Sequence, residues 1–568
     1  MPQRKRYRFI IIAVVVFAVL SFSAKYFFYD YSSRLIGDLL FEIAQIRGNQ
    51  NYTIKNKQVS FFPLERQLLI KNLEITPNDD SLASNMRYEV EIPELFVDIE
   101  SLSEIYFYKK LTISGLRLKK PTLRIKKLRT DTTKSQSFIL NANDLYERAS
   151  RYLTDLQVES FLLDSGNMEF EDEINDIYQL QNFTIAIEKF SMDSAHMRSN
   201  QNPFFTENVS LRLSEQEFTL RDHNHRISFD SLLFSSGDSS FVIHNLVYKN
   251  ISSHDKQDSV NISKVSFTKM DVNAFYTENT IDLGKIHLLQ PYLHLHPPDD
   301  NNRNKKKQFV QNDSRYTFRL DSIWFTKGSL AYNHNDFLFN SEDLNLHHGS
   351  YVLYPGAPLV SFGQLIHNIS MNGKELHLKS ESLNFSLSSI EMDTEKDFLT
   401  IRDVSLQQNN KEGKLDLKAK LARISKFEIH NRDYYEIDTL LIEHPDVILT
   451  RKKTRRKDKS LKSDKFIVIN YLNAVSGSLY GVLGENIIDM QEIDIVGKSI
   501  NSQKGLNNVK NIKIIGKEYN LNLNGDKING KEWCYNGMNN LVATKKVISK
   551  YGNISEVLLY DPYLEGLS

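Results

Sequence analysis

Beyond residue 50 the apolar residues of this chain recur with a period of two. Phe183, Ile185 and Ile187 alternate with Thr184, Ala186 and Glu188; Leu383, Phe385 and Leu387 alternate with Asn384, Ser386 and Ser388; Tyr519, Leu521 and Leu523 alternate with Asn520, Asn522 and Asn524. A strand places successive side chains on opposite faces, so each run reads as a strand with one apolar face. Composition agrees, because 33 Phe and 27 Tyr with abundant Ile, Val and Thr stand beside only 23 Gly and 13 Pro, which favours sheet over disordered or collagen-like structure. Helical stripes are few. Asp144 to Leu156 carries one (Leu145, Ala149, Tyr152, Leu153, Leu156), and short turns are expected near Ser103 and Asp271. A length of 568 residues would ordinarily mean three or four modules at about 150 residues each. The unbroken alternation instead predicts one continuous, largely antiparallel, twisted β-assembly.

The N-terminus is different. Arg4, Lys5, Arg6 and Arg8 precede an apolar run from Phe9 to Leu20, and no charge follows until Lys25. Tyr7 to Phe28 is long enough for a helix that needs about 20 residues to cross a bilayer. Tyr26, Phe27, Phe28 and Tyr29 suit the interface, and the basic flank belongs in the cytoplasm. A cleaved signal peptide is the competing reading, since Ser21 and Ser23 are small enough for a processing site. Residues 1–30 thus read as flank and anchor. Residues 31–50 form an amphipathic helix with Leu35, Ile36, Leu39, Leu40, Ile43 and Ile46 on one stripe, ended by Gly48.

Residues 51–568 contain a repeat: apolar, x, apolar, x, x, Pro, x, apolar, x, apolar. The copies are Leu116, Leu118, Pro121, Leu123, Ile125; Ile286, Leu288, Pro291, Leu293, Leu295; Leu440, Ile442, Pro445, Val447, Leu449; and Val557, Leu559, Pro562, Leu564. Proline lacks a ladder donor and fits a strand start or a bulge, so it divides two strand segments with matched inward positions. A glycine-broken strand follows each of the first three copies: Phe161, Leu162, Gly166, Met168, Phe170; then Ile323, Trp324, Gly328, Leu330, Tyr332; then, more weakly, Leu472, Gly477, Leu479. The glycines are expected to supply hairpin turns. Polar segments separate each pair, Lys126 to Gln136, Pro297 to Arg315 and Arg451 to Lys465, and read as solvated loops. The fourth copy has no glycine element after it, so the chain is expected to be truncated inside a repeat.

About thirty to forty strands are expected at ten to fifteen residues each, and thirty neighbours would extend about 140 Å. The few helices cannot cover the apolar face of such a sheet. Cover must come from a second sheet, from closure as a barrel, or from a ligand in a curved groove.

The chain resembles the AsmA-like proteins, related in architecture to TamB and to the bridge-like lipid transfer proteins built from repeating β-groove modules. The resemblance lies in the basic-flanked anchor, the helix ending at Gly48, then Val59, Phe61, Phe62, Pro63, Leu64, Leu68, Ile70, Leu73 and Ile75. It continues through Val97, Ile99, Leu102, Ile113, Gly115, Leu118, Pro121, Leu123 and Ile125. It implies a single-pass inner-membrane protein of a Gram-negative envelope, N-terminus cytoplasmic and bulk periplasmic, with a hydrophobic groove linked to phospholipid movement towards the outer membrane and to envelope assembly. Phospholipid is the expected partner, with the inner membrane and outer-membrane or envelope proteins. The candidate groove residues are Leu116, Leu118, Leu123, Ile125, Phe183, Ile185, Ile187, Ile286, Leu288, Leu293 and Leu295. The alternative is a structural scaffold or outer-membrane assembly factor whose sheets seal each other.

Other chemistry has little support. With 71 basic and 71 acidic residues the formal charge is +0, which gives no field to attract nucleic acid. The single Cys534 excludes a disulfide framework and a cysteine zinc site. His294 and His296 (with His287), His223 and His225, and His347 and His348 form pairs, but none has a third ligand at a characteristic spacing, so no metal is expected. No G-x-S-x-G elbow, P-loop or H-E-x-x-H helix is present, so neither catalytic residues nor a cofactor are expected. N-x-S/T sequons such as Asn208 and Asn384 follow from frequent Asn and Ser in strands.

Overall fold

A computed structural model describes residues 52–62, 65–78, 86–101, 110–127, 155–172, 177–192, 206–220, 224–251, 258–271, 274, 279–295, 316–334, 337–354, 368–410, 413–429, 434–451, 466–501, 511–538, 541–551, 554–560 and 563–565. Among them strands are the only regular elements, and no helix is long and apolar enough to cross a membrane. The anchor, the amphipathic helix, most of the expected helix at 144–156 and most of the polar segments lie outside these residues; Asp155 and Leu156 open a strand. Asp271 forms an isolated bridge with Asp282. The chain divides into two units, Met1–Tyr248 with Val265–Gly284, and Lys249–Lys264 with Lys285–Ser568.

In the first unit β1 (Tyr52–Lys55) and β2 (Gln58–Phe62) both lie antiparallel to β3 (Gln67–Pro77), which pairs on its other side with β4 (Met86–Ile99). β5 (Lys110–Lys119) and β6 (Thr122–Lys127) are two halves of one broken strand against β4. Both halves then pair in parallel with β7 (Asp155–Glu171), the departure from a plain meander. β8 (Ile177–Met192), β9 (Asn208–Thr219) and β10 (His225–Ser235) continue antiparallel, followed along the chain by β11 (Ser240–Asn250), β12 (Ser259–Thr268) and β13 (Thr280–Leu295), over which the chain passes from the first unit to the second.

The second unit repeats this plan. β14 (Thr317–His334) pairs with β15 (Phe337–His348) and β16 (Tyr351–Leu353), and β15 leads through β17 (Ile369–Lys379), β18 (Leu383–Asp393) and β19 (Phe398–Asn410) to β20 (Gly413–Ile429). β21 (Tyr434–Glu443) and β22 (Asp446–Arg451) are again halves of one strand against β20, and both pair in parallel with β23 (Phe466–Leu483). β24 (Asn486–Asn501), β25 (Ile512–Leu523), β26 (Asp526–Asn536) and β27 (Leu541–Tyr551) form a meander, and β28 (Ile554–Tyr560) and β29 (Tyr563–Glu565) share β27.

The proline and glycine elements meet at these parallel pairs. Lys120 N–H donates to Asp164 O (2.8 Å) and Asn167 N–H to Pro121 O (2.8 Å); His444 N–H donates to Val475 O (2.9 Å) and Ser478 N–H to Pro445 O (2.7 Å). The residue before each proline and before each glycine is left-handed: Lys120 and Ser165, Gln290 and Lys327, His444 and Ser476. The glycines therefore do not supply hairpin turns, as their flanks suggest. Gly166, Gly328 and Gly477 sit inside β7, β14 and β23 at register shifts. The physical reason is space: a Cβ on Gly328 would stand 3.0 Å from Pro291 Cγ, and one on Gly477 would stand 2.8 Å from Pro445 Cγ. Each bulge also leaves an N–H out of the ladder. Lys327 N–H donates to Asn345 Oδ1 (2.9 Å) and Ser476 N–H to Asp494 Oδ1 (2.8 Å).

The bulges are aligned. The registers of β24, β25 and β26 skip the same level, at Glu492, Lys517 and Glu532, where Lys517 pairs with Glu492 and Glu492 and Glu532 are left-handed. In the first unit Ser165, Asn182, Glu215 and Asn245 play the same part in β7, β8, β9 and β11. One inserted residue reverses the alternation, so apolar residues an odd number apart share a face. Leu163 and Met168, Leu180 and Ile185, Leu213 and Phe218, and Ile243 and Leu246 all belong to the cluster around Phe183, Leu213 and Phe229. The spacing Leu118, x, x, Pro121 is the same device written in sequence.

Candidate functional site

The register joins the apolar residues into rows. On the near side of the bulges, Val59, Ile70, Leu95, Leu118, Leu163, Ile185, Leu211 and Phe234 are successive cross-strand partners. The neighbouring row is Phe61, Leu68, Val97, Leu116, Phe161, Ile187 and Val209. Beyond the bulges Ile54, Ile75, Val90, Leu123, Met168 and Leu180 form a third, and Ile125 pairs with Tyr88 and Phe170. Six candidates, Leu116, Leu118, Leu123, Ile125, Ile185 and Ile187, thus fall into rows, and the seventh, Phe183, faces Gly166 at the bulge. In β13, Ile286, Leu288 and Leu293 are half-buried, Pro291 is fully buried, and Leu295 is 36% exposed.

In the second unit one row runs across eleven strands without a polar member: Tyr332, Phe339, Leu378, Phe385, Leu406, Leu417, Val447, Leu479, Met490, Tyr519 and Gly530. None of these is among the candidate residues named from sequence. The alternation around Phe385 and Tyr519 and the third proline copy were the signal for it, but a strand must be paired before its neighbours are known.

Burial follows the line of bulges. Gly477, Ile493, Gly516, Trp533 and Thr544 are cross-strand partners along it, and all are buried. The residues beside them on the other face, Ser476, Glu492, Lys517, Glu532 and Lys545, are all exposed. Away from the line the apolar rows are half-buried, from Ile75 and Leu123 in the first unit to Phe385 and Leu479 in the second. The exception is in the first unit, where Phe61, Leu68, Val97, Ile99, Ile113 and Val158 form one buried cluster from β2 to β7, with Phe61 1% and Leu68 0% exposed.

Charged side chains line the exposed side of the bulges. Lys374 Nζ lies 2.6 Å from Asp343 Oδ2, Lys545 Nζ 2.9 Å from Glu532 Oε2, Lys517 pairs with Glu492, and Ser388 Oγ donates to Asp403 Oδ2 at 2.7 Å. The hydrogen bond from Lys374, and then its charge, hold the Asp343 carboxyl below its usual range, and the same contact raises Lys374. The lowered aspartate stabilises the fold above the ordinary carboxylate range and loses that contribution as pH falls through its folded value; the raised lysine contributes below the ordinary lysine range and loses it as pH rises through its own. A carboxyl-resolved NMR titration should place the Asp343 midpoint below that of a free aspartate, and Lys374→Met should return it to the ordinary value. A wild-type midpoint at the ordinary value contradicts the pairing.

Among the described residues no group of His, Cys, Asp and Glu is placed to hold a metal. His225 stacks on Tyr248, His287 Nε2 lies 2.8 Å from Thr326 Oγ1, and His347 packs on Trp324 with ring centroids 4.1 Å apart. His223 and His296 lie outside the described residues. What the arrangement offers within each unit is therefore rows of apolar side chains on one face, with exposed charged residues beside the bulges on the other. No protein-family model matches the chain, and no curated protein matches it.

Proposed function

We propose that the chain is a membrane-anchored, periplasmic AsmA-like protein that holds phospholipid acyl chains along a hydrophobic β-trough and contributes to lipid transport between inner and outer membranes and to envelope assembly. One observation carries this reading: in the second unit small or apolar residues are buried along the bulge line while the apolar row beside it stays half-exposed. A bulge bends its strand, and strands bent at one level make a trough whose floor is shielded by its arms. A long half-exposed apolar surface calls for an apolar partner. An acyl chain gains about 0.8 kcal/mol for each CH₂ buried, so a trough lined over many strands can offset extraction from a bilayer, with headgroups left in water. The anchor rests on the basic flank and the apolar run at Phe9 to Leu20. A scaffold sealed without ligand is the second reading, favoured by the closed packing at Phe61 and Leu68.

The chain has two tryptophans, and they report on opposite sides. Trp533 is 7% exposed on the floor, and Trp324 is 41% exposed, against His347. Phospholipids brominated along the acyl chains are expected to quench the emission of Trp533 in the Trp324→Phe protein and to leave Trp324 unquenched in the Trp533→Phe protein. Equal quenching of both, or of neither, overturns the trough.

A further inference from the structure

Three interrupted strands lie against their antiparallel neighbours in one and the same register. Against β4, Glu94 faces Lys119 and Glu91 faces Thr122, so two residues of each strand are skipped between β5 and β6. Against β20, Leu421 faces Glu443 and Lys418 faces Asp446, with the same two-residue gap between β21 and β22. Against β27, Lys546 faces Tyr560 and Ala543 faces Tyr563, and the gap between β28 and β29 is again two residues, the second of which in sequence is a proline. The other side differs. β5 with β6, and β21 with β22, are covered there by a parallel strand that bulges at a glycine, β7 or β23. Among the described residues β28 and β29 pair with β27 alone. An uncovered strand edge is a template for another strand. The internal pairs define which strand fits. β7, β14 and β23 all have apolar residues five and three positions before the glycine and two after it, as Ile323, Phe325 and Leu330 stand around Gly328. The main chain locks at the gap: His444 N–H donates to Val475 O, and Ser478 N–H, next to the glycine, donates to Pro445 O. No side chain fits in place of that glycine, since a Cβ would stand 3.0 Å from Pro291 Cγ in β14 and 2.8 Å from Pro445 Cγ in β23.

We propose that β28 and β29 are an acceptor edge for a strand supplied by a partner protein, which pairs in parallel, sets a glycine at the gap between them, and carries apolar residues five and three positions before that glycine and two after it. A second copy of this chain cannot supply such a strand, because β7 and β23 are already paired on both sides and β14 lies between β15 and Pro291. Affinity comes from main-chain hydrogen bonds, and selection from the apolar spacing and the missing side chain at the gap. The edge does not depend on lipid.

The probe is a fluorophore-labelled peptide with the sequence of β14, Thr317–His334, added to the full chain and followed by anisotropy and by hydrogen exchange. One peptide is expected to bind per chain. At a free concentration ten times its Kd it should slow exchange of the Val557 and Leu559 amides about tenfold. Amides alternate sides along a strand, and these two share the side of the residue before the proline, which donates across in both internal pairs. The same peptide with Gly328→Val is expected to bind at least about tenfold more weakly, although valine favours strands, because its side chain has no room at the gap. Both variants are peptides, so the fold of the protein is untouched. Absence of binding, binding that leaves β28 exchange unchanged, or equal affinity of the two peptides overturns the proposal. So does a dimer of the chain that protects the β28 amides and that the peptide does not displace.

Discussion

Replacing Gly477 by alanine is expected to loosen β23 by about 2 kcal/mol, seen as roughly thirtyfold faster hydrogen exchange of the Ser478 amide. That amide donates to Pro445 O at 2.7 Å, and the added Cβ would stand 2.8 Å from Pro445 Cγ and 3.0 Å from Pro445 O. Neither contact can yield cheaply, because one belongs to a ring closed on the main chain and the other is main chain. Gly481, four residues along the same strand, is the control. A Cβ there meets nothing nearer than 3.7 Å, so Gly481→Ala should be neutral or stabilise by about 0.5 kcal/mol through the unfolded chain. Equal exchange rates in Gly477→Ala and the wild type would show that the proline and glycine strands do not abut as described.

The second large effect concerns cargo. Leu118→Asp and Leu288→Asp each place a carboxylate on a half-buried apolar position, and if the proposed trough holds lipid a charge without a partner there is strongly disfavoured next to hydrocarbon. Phospholipid recovered with the protein, purified without stripping detergent, is expected to fall by at least about tenfold. Asn384→Asp, at an exposed position of β18, should leave it unchanged. Folded Leu118→Asp protein that keeps its lipid would favour the sealed scaffold.

The strand content was legible from the alternation at Phe183, Phe385 and Tyr519, and the proline motif located broken strands at Pro121 and Pro445 because its odd spacing is the bulge itself. Gly166, Gly328 and Gly477 were found but misread, since a glycine between two apolar runs looks the same whether the chain turns back or continues through a bulge. The left-handed residues were hidden. Lys120, Ser165, Gln290, Lys327, His444 and Ser476 share no side-chain chemistry, and they are fixed by the neighbouring strand rather than by their own preference. The apolar row from Tyr332 to Gly530 and the floor at Trp533 needed the pairing, because cross-strand neighbours lie tens of residues apart in the chain. The anchor and the helix ending at Gly48 lie outside the described residues, so their reading still rests on sequence.

The reversal of side-chain alternation at each bulge gives every bulged strand two independent reading frames. Inserting one residue between a bulge and the strand tip puts that whole arm out of frame, turning its leucines outward and its asparagines inward while the other arm is untouched. Inserting two restores the frame and lengthens the arm by about 6.6 Å. Arms in such a sheet can therefore grow or shrink only in pairs of residues, whereas the bulge, which acts as the comma between the frames, tolerates no change in length at all.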